Sequence, residues 1–175
     1  MRQRSSRGRQ AGGASAKPPP GDPVETGLRL LSRRDHSREE LRRKLSQRGH
    51  DQKAIEEAIQ RIHKSYPLDD QAFARSYVRR RSSVKGPMAI AGELAARGID
   101  RASTEVALAE FGAAEQLQAA TLLASRLYSR QREDLGYRQV LDKIGSKLLR
   151  RGFPTTIARA ACRSLVTGAA GPTDD

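Results

Sequence analysis

One short pattern occurs three times in this sequence: two apolar residues four positions apart, followed four positions later by a glycine. The copies are Leu41, Leu45 and Gly49, then Ile90, Leu94 and Gly98, and finally Ile144, Leu148 and Gly152. Apolar residues four apart lie on one face of an α-helix. A glycine placed after them often ends the helix, because it adopts a left-handed backbone without a Cβ clash. The glycines lie 49 and 54 residues apart, a period typical of helical repeats. The sequence therefore predicts three copies of one small helical unit.

An arginine directly precedes each of these glycines, at Arg48, Arg97 and Arg151. A cation there is favourably placed against the negative end of the helix dipole. The residue after the glycine is Ile99 in the second copy and Phe153 in the third. We therefore expect the residue at the same position of the first copy, His50, to pack the turn.

The composition favours a thin core and a polyanionic or acidic partner. Of the 175 residues, 37% are hydrophobic and only 4% aromatic, which suits a core spread along a stack of repeats. Lysine and arginine outnumber aspartate and glutamate by 33 to 20, for a net charge of +13. Such a surface attracts nucleic acid or acidic protein faces.

The cysteine content and the apolar runs predict a cytoplasmic protein. Cys162 is the single cysteine, so neither a disulfide framework nor a zinc-binding quartet is expected, and a small buried residue is the simplest role for it. No apolar run approaches the length of a membrane span. The basic N-terminus lacks the apolar core of a secretory signal.

The predicted fold is all-α, since no stretch shows the alternation of a β-strand. Residues 1–22 are basic and rich in Gly, Ser, Ala and Pro, which predicts a disordered arm. This arm either adds non-specific affinity for nucleic acid or is an inert extension. The three repeats are predicted at 23–67, 68–111 and 112–167, and a flexible tail at 168–175.

Capping residues predict where several helices begin. Ser37 followed by Glu40 indicates a capping box, in which each side chain bonds the other residue's backbone amide. A long helix is predicted over residues 113–130, with its apolar positions at Leu117, Leu122, Leu123 and Leu127, and residues 131–137 are predicted to form a loop. The helix after it is expected to run from about Arg138 to Gly152. The other predicted helix starts are Asp51, either Asp69 or Asp70, Pro87, Asp100 and Pro154.

The residues match no catalytic template. The chain has no glycine-rich phosphate loop, and the spacing of His36, His50 and His63 does not suit a metal site. Carboxylates adjacent in sequence, such as Asp69 and Asp70, do not converge on one helix face. We therefore predict that the protein is not an enzyme and has no cofactor or metal.

Cations at helical spacing are the clearest candidate for a binding surface. Lys143, Lys147, Arg150 and Arg151 form one stripe, and no acid occurs from Lys143 to Thr173. Any single patch of this kind can be an ordinary solvated helix face, but three similar units favour an extended cationic surface. Asparagine is absent, so contacts to phosphates or to an acidic partner fit better than base-specific reading. The predicted contact residues are Arg33, Arg34, Arg42, Arg43, Arg79, Arg80, Arg81, Lys85, Lys143, Lys147, Arg150 and Arg151.

Several of these stretches resemble the RecX family of bacterial recombinase regulators. The most specific block is Leu68-Asp-Asp-Gln-Ala-Phe73-Ala-Arg-Ser-Tyr77-Val78. The resemblance also includes Leu30-Leu31-Ser-Arg-Arg-Asp-His-Ser37-Arg-Glu-Glu-Leu41, Gly86-Pro87, Arg97-Gly98 and Arg150-Arg-Gly-Phe153, and it covers roughly residues 24–167.

The resemblance implies three tandem three-helix repeats in an elongated, curved molecule without enzymatic activity. RecX-like proteins bind RecA, lie in the groove of its filament on single-stranded DNA, and suppress its ATPase and strand exchange, partly by blocking filament growth. We therefore expect a monomeric inhibitor of RecA that contacts single-stranded DNA directly or through the filament. The alternative is a basic protein that binds DNA without sequence specificity and without a recombinase. A repeat scaffold for an unrelated acidic protein is a third possibility, which the resemblance disfavours.

Overall fold

The described part of the chain folds entirely into helices, arranged as the three predicted three-helix repeats. The computed structural model describes residues 21–130 and 135–169. Repeat 1 contains α1 (Pro23–Leu31), α2 (Arg38–Ser46) and α3 (Gln52–Ser65). Repeat 2 contains α4 (Asp70–Arg81), α5 (Pro87–Ala95) and α6 (Arg101–Ala109). Repeat 3 contains α7 (Ala113–Tyr128), α8 (Tyr137–Val140), a π-helical segment (Leu141–Gly145), α9 (Ser146–Arg150) and α10 (Thr155–Ala169).

Some of the sequence predictions fall on residues that the structure does not describe. These are most of the predicted arm, most of the predicted tail and residues 131–134 of the predicted 131–137 loop. The repeat limits at 67/68 and 111/112 stay predictions.

Most of the predicted caps begin a helix in the structure. The side chains of Ser37, Asp51 and Asp100 each accept a hydrogen bond from a backbone N–H in the first turn of α2, α3 and α6. Asp69, rather than Asp70, caps α4. Pro87 opens α5, whereas α10 begins at Thr155, one residue after the predicted Pro154.

The predicted capping box is only half formed. The Glu40 amide donates to Ser37 Oγ at 3.0 Å, but the Glu40 carboxylate does not bond the Ser37 amide in return. It bonds Arg34 instead, and it also lies 3.5 Å from Arg97 of repeat 2. Two arginines compete for this carboxylate more strongly than a backbone amide, because hydrogen bonds between charged groups are stronger than those to a neutral amide.

The three glycine turns have the predicted left-handed backbone. Their φ angles are 90° at Gly49, 75° at Gly98 and 83° at Gly152. The arginine before each glycine donates a hydrogen bond to the carbonyl four residues earlier, which satisfies one of the free acceptors at the helix end. These bonds join Arg48 to Lys44 at 2.7 Å, Arg97 to Glu93 at 2.7 Å and Arg151 to Lys147 at 3.4 Å.

The residue after each glycine packs inwards, as predicted. His50, Ile99 and Phe153 are all buried. Their amides donate hydrogen bonds to the carbonyl of the second apolar residue of the repeated pattern, at Leu45, Leu94 and Leu148 respectively. His50 therefore serves as a packing residue of its turn.

The core is divided in two. Repeat 1 has a cluster of its own, whereas one continuous cluster joins repeats 2 and 3 and includes Phe73, Leu94, Leu148 and Phe153. In α7 the predicted apolar face is partly wrong, because Leu123 is buried but Leu122 is 54% exposed. The cluster of repeat 1 comprises Leu30, Leu31, Leu41, Leu45, Ile55, Ile59, Ile62 and Leu68.

The predicted second helix of repeat 3 is present from Tyr137 to Arg150, but it contains a π-helical segment that the sequence did not predict. It changes from α to π geometry over Leu141–Gly145 and returns to α at Ser146. Val140, Ile144 and Leu148 are four residues apart and all fully buried. Because an α-helix has only 3.6 residues per turn, residues at that spacing drift around it, and the wider π turn helps to keep these three on the same face of the helix. At Gly145 an added Cβ would lie 3.5 Å from Cys162 Sγ, an ordinary contact distance, so this helix packs directly against α10.

Candidate functional site

A cleft of about 670 Å³ lies where repeat 1 meets repeat 2. Its lining combines four guanidinium groups with two carboxylates and two stacked aromatic rings. The cations outnumber the acids, so the cleft is a basic surface with structured polar walls. The lining residues are Arg34, Asp35, Phe73, Tyr77, Arg80, Arg81, Glu93 and Arg97.

Glu93 organises one wall of this cleft. It accepts hydrogen bonds from Tyr77 Oη at 2.6 Å and from Arg81 Nε at 3.3 Å, and it forms an ion pair with Lys85. Burial alone would raise the pKa of Glu93, but the bonds from Lys85, Tyr77 and Arg81 outweigh it and lower that pKa to about 2. Glu93 therefore stays ionised, and two of the predicted contact cations are already bonded to it.

Glu40 does not line the cleft itself, but it holds two of the arginines that do, Arg34 and Arg97. Its carboxylate lies 3.2 Å from Arg34 Nη1, 3.3 Å from His36 Nδ1 and 3.5 Å from Arg97 Nε. Burial would raise the pKa of Glu40, but the hydrogen bond and charge of Arg34 contribute more and lower it. The pKa of His36 is lowered, mainly by burial and then by the charge of Arg34. Glu40 thus links repeat 1 to repeat 2.

Two arginines at the cleft also lie over the ring of Tyr77. The guanidinium carbon of Arg97 is 4.5 Å from the ring centroid, and that of Arg80 is 6.0 Å away. Cations at this range are attracted by the negative face of the ring. Sequence reasoning assigned Arg97 only to its turn. No local signal marks its second role, because its partners Glu40 and Tyr77 are distant in sequence.

Two further predicted contact residues are held by neighbouring groups. Arg42 forms a two-point bond to Glu56, with Nε at 2.8 Å and Nη2 at 3.1 Å. This bond, with burial opposing it, raises the pKa of Arg42 and lowers that of Glu56. Arg43 Nη2 donates to the Ala96 carbonyl of repeat 2 at 2.8 Å.

Some of the remaining predicted cations form a hydrogen bond within this chain, and the others do not. Arg80 bonds Ser76 Oγ at 3.0 Å, and Arg151 bonds the Lys147 carbonyl of its own turn. Among the predicted contact residues, all of which lie within residues 21–130 and 135–169, five have side chains with neither a hydrogen bond nor an ion pair to another described residue. These are Arg33, Arg79, Lys143, Lys147 and Arg150. The last three lie on the π segment and α9, next to each other on one helical stretch.

The described residues form neither a metal site nor a membrane-spanning helix. Among those the structure describes, no three His, Cys, Asp or Glu side chains are grouped so that they could hold a metal ion. None of the described helices combines the length and the apolar character that crossing a membrane requires. Cys162 is fully buried, and burial raises the pKa of its thiol.

Comparison with known protein families matches two of the three repeats. Residues 25–61 match the first three-helix domain of RecX, and residues 69–108 match the second. The chain is 39% identical over 142 residues to the regulatory protein RecX of Xanthomonas axonopodis pv. citri (strain 306), covering 81% of this chain and 86% of that protein. It is 34% identical over 152 residues to the regulatory protein RecX of Stenotrophomonas maltophilia (strain K279a), covering 86% and 91%.

Solved structures give the same relationship. A crystal structure of RecX from Lactobacillus salivarius superposes with a TM-score of 0.70 at 29% identity, covering 83% of this chain and 95% of that one. A second crystal structure of regulatory protein RecX gives a TM-score of 0.68 at 26% identity, covering 77% and 68%.

Proposed function

The chain belongs to the RecX family of regulatory proteins, and from this membership we propose that it is a non-enzymatic inhibitor of RecA. In this proposal it binds the RecA filament on single-stranded DNA and limits ATP hydrolysis, filament growth and strand exchange. It acts as a monomer in the cytoplasm, without cofactor or metal.

The observation that best supports a filament contact is the group of unpaired cations in repeat 3. Lys143, Lys147 and Arg150 have no partner among the described residues, and no acid follows them before Asp174. Unpaired cations bind phosphates or acidic protein without first giving up an internal bond. We therefore place the primary contact on these three residues, together with Arg33 and Arg79.

The other predicted contact residues are proposed as secondary contacts. Each of them already bonds a carboxylate, a hydroxyl or a carbonyl of this chain, so binding a filament through it would weaken a bond that stabilises the fold. Contacts spread over three linked repeats also add through effective concentration, so each can be weak. The secondary residues are Arg34, Arg42, Arg43, Arg80, Arg81, Lys85 and Arg151.

The test is single-stranded-DNA-dependent ATP hydrolysis by the cognate RecA, with this protein well below one molecule per RecA protomer. We expect strong inhibition by the wild type and at least about ten-fold weaker inhibition by Lys147→Glu/Arg150→Glu. The matched control is Lys53→Glu/Lys64→Glu, which makes the same charge change at unpaired exposed lysines of α3 and should inhibit like the wild type. Equal inhibition by all three proteins would refute the repeat 3 contact.

A second function, sequence-independent DNA binding without a recombinase, is favoured by the net charge of +13. Such a protein competes with RecA for phosphates. It would reduce ATP hydrolysis only once the DNA is saturated, and a basic control protein at matched salt would do the same.

A further inference from the structure

Among the contacts between repeat 1 and repeat 2, one involves the glycine turn directly. The first turn of α2 lies against the glycine turn of the next repeat. Ser37 Oγ donates a hydrogen bond to the Arg97 carbonyl at 2.5 Å. A Cβ added at Gly98 would lie 2.3 Å from Glu39 Cβ, so the start of α2 occupies the space that a side chain would need.

Repeat 2 meets the glycine turn of repeat 3 in a similar way, with backbone amides in place of the hydroxyl. The amides of Gly86 and Met88, at the start of α5, donate to the carbonyls of Arg151 and Gly152 at 2.8 and 3.2 Å. A Cβ added at Gly152 would lie 2.2 Å from the Ala89 nitrogen. In both junctions, therefore, the start of one helix covers an arginine–glycine turn and bonds its carbonyls.

The third turn of this kind, in repeat 1, is uncovered. Gly49 has the same left-handed backbone, but nothing lies within 4 Å of a Cβ added there. Arg48 and Gly49 are exposed, and within the described residues no hydrogen bond reaches their carbonyls. Two of the three equivalent glycine turns are thus covered by a neighbouring helix, and the third, at the repeat 1 end of the stack, is open.

Repeat 3 does not present a matching helix start at the other end. Ser37 and Gly86 each precede the glycine of their own repeat by 12 residues, whereas Gly136, where α8 begins, precedes Gly152 by 16. The position 12 residues before Gly152 is Val140, which is fully buried. Repeat 3 of a second copy of this chain therefore has no helix start at the position that Ser37 and Gly86 occupy in the other repeats. If α8 docked on the open turn instead, Arg138 in its first turn would be repelled by the cations of that turn, Lys44 and Arg48.

Charge indicates which kind of helix fits the open turn. Arg97, in the covered turn of repeat 2, pairs with Glu40 from the first turn of the docking helix at 3.5 Å. Arg48 occupies the same position in the open turn and has no carboxylate partner among the described residues, and Lys44 lies one helical turn before it. The free amides of a helix start also suit the turn's carbonyls.

We propose that the Arg48–Gly49 turn binds the start of a helix from a protein partner, one that has a small or hydroxyl-bearing N-cap and an acidic residue in its first turn. This inference depends on the proposed function in one respect, which is that the RecA filament is taken as the source of the helix.

The direct test needs no recombinase. The probe is a synthetic peptide of residues 35–47 of this chain, held helical by a staple, which carries the Ser37 cap and the two glutamates that follow it. We expect saturable changes in the backbone NMR signals of residues 44–50 of the full-length protein. A scrambled peptide of the same composition is the control for charge.

Gly49→Asn tests the open turn itself. Asparagine tolerates the left-handed backbone but places a side chain where the partner helix would lie, so we expect about ten-fold or weaker peptide binding with a melting temperature close to that of the wild type. Arg48→Glu should weaken binding similarly without a change at the glycine. Unchanged binding to both variants, or no response of the wild type to the peptide, would overturn the proposal.

The partner is tested separately with RecA–single-stranded-DNA filaments. If the wild type binds the filament and Gly49→Asn binds it more weakly, the result supports the filament as the source of the helix. If both proteins bind the filament equally well, the filament is not the source of the helix, and the proposed function stands. If the wild type does not bind the filament at all, the proposed function is refuted. The peptide experiment then still shows whether the Arg48–Gly49 turn binds a helix start. Self-association of the wild type that Gly49→Asn abolishes would assign the turn to a second copy and refute the choice of partner.

Discussion

The three glycine turns should respond very differently to the same substitution, Gly→Ala. All three glycines have φ between 75° and 90°, so an alanine at any of them incurs about 1–2 kcal/mol of backbone strain. What differs is the space around the added Cβ, which is open at Gly49, meets the Glu39 side chain at Gly98, and meets the Ala89 backbone at Gly152.

The expected losses of unfolding free energy follow from those neighbours. Gly49→Ala should cost the strain alone, about 1–2 kcal/mol. Gly98→Ala adds overpacking against Glu39 Cβ, about 1–3 kcal/mol more. Gly152→Ala adds a similar overpacking term, and it also pushes α5 away and breaks the two amide bonds from Gly86 and Met88, each contributing about 1 kcal/mol. We expect a total near 4–7 kcal/mol, which is enough to unfold a marginally stable protein.

The assay is urea denaturation followed by circular dichroism at 222 nm. Gly92→Ala is the control, because Gly92 lies in α5 with open space around its Cβ and should gain about 0.5–1 kcal/mol in helix propensity. The reasoning is refuted if Gly49→Ala is the most destabilising of the three, or if all three variants lose the same free energy.

Three further predictions concern single side chains. The pKa of Glu93 is about 2 when folded, against an ordinary value of 4.5, so its stabilising effect is complete above about pH 4.5 and is lost as the pH falls to about 2. The loss is at most about 3 kcal/mol and about 2 kcal/mol after solvent screening, and Glu93→Gln should remove that part of the pH dependence in urea titrations. Leu148→Ala should cost about 2–5 kcal/mol, whereas Leu149→Ala, at an exposed neighbour, should change stability by less than about 0.5 kcal/mol; similar melting temperatures would contradict the burial. Arg42→Ala should cost about 0.2–1 kcal/mol and should weaken RecA inhibition much less than Lys147→Glu/Arg150→Glu does, because Arg42 is proposed only as a secondary contact; an equally large loss of inhibition would show that Arg42 is a primary contact.

Features that depend on neighbouring residues were predictable from the sequence. The helix caps at Ser37 and Asp51 and the left-handed glycines follow from local geometry, and each was confirmed. The buried role of His50 followed from comparing equivalent positions of the three copies. Repetition supplied information here that a single motif does not contain.

Features that depend on distant residues were not predictable. Glu40 was assigned to a local capping box, but Arg97 is 57 positions away and draws the carboxylate across the repeat junction. Glu93 joins cations from α4 and the connection after it, so a pattern that looks like a free basic patch is partly neutralised. Nothing in the residues Leu141–Gly145 marked the π turn of repeat 3 either.

The central claim, that the filament rather than bare DNA is the target, is tested most directly by the salt dependence of binding. Binding to RecA–single-stranded-DNA filaments and to the same oligonucleotide alone would be measured between about 50 and 400 mM salt, a range in which phosphate-dominated binding weakens steeply. We predict steep loss on the bare oligonucleotide, and a shallower slope with residual high-salt binding on the filament. Equal slopes on the two targets would contradict the account and identify the protein as a non-specific DNA binder.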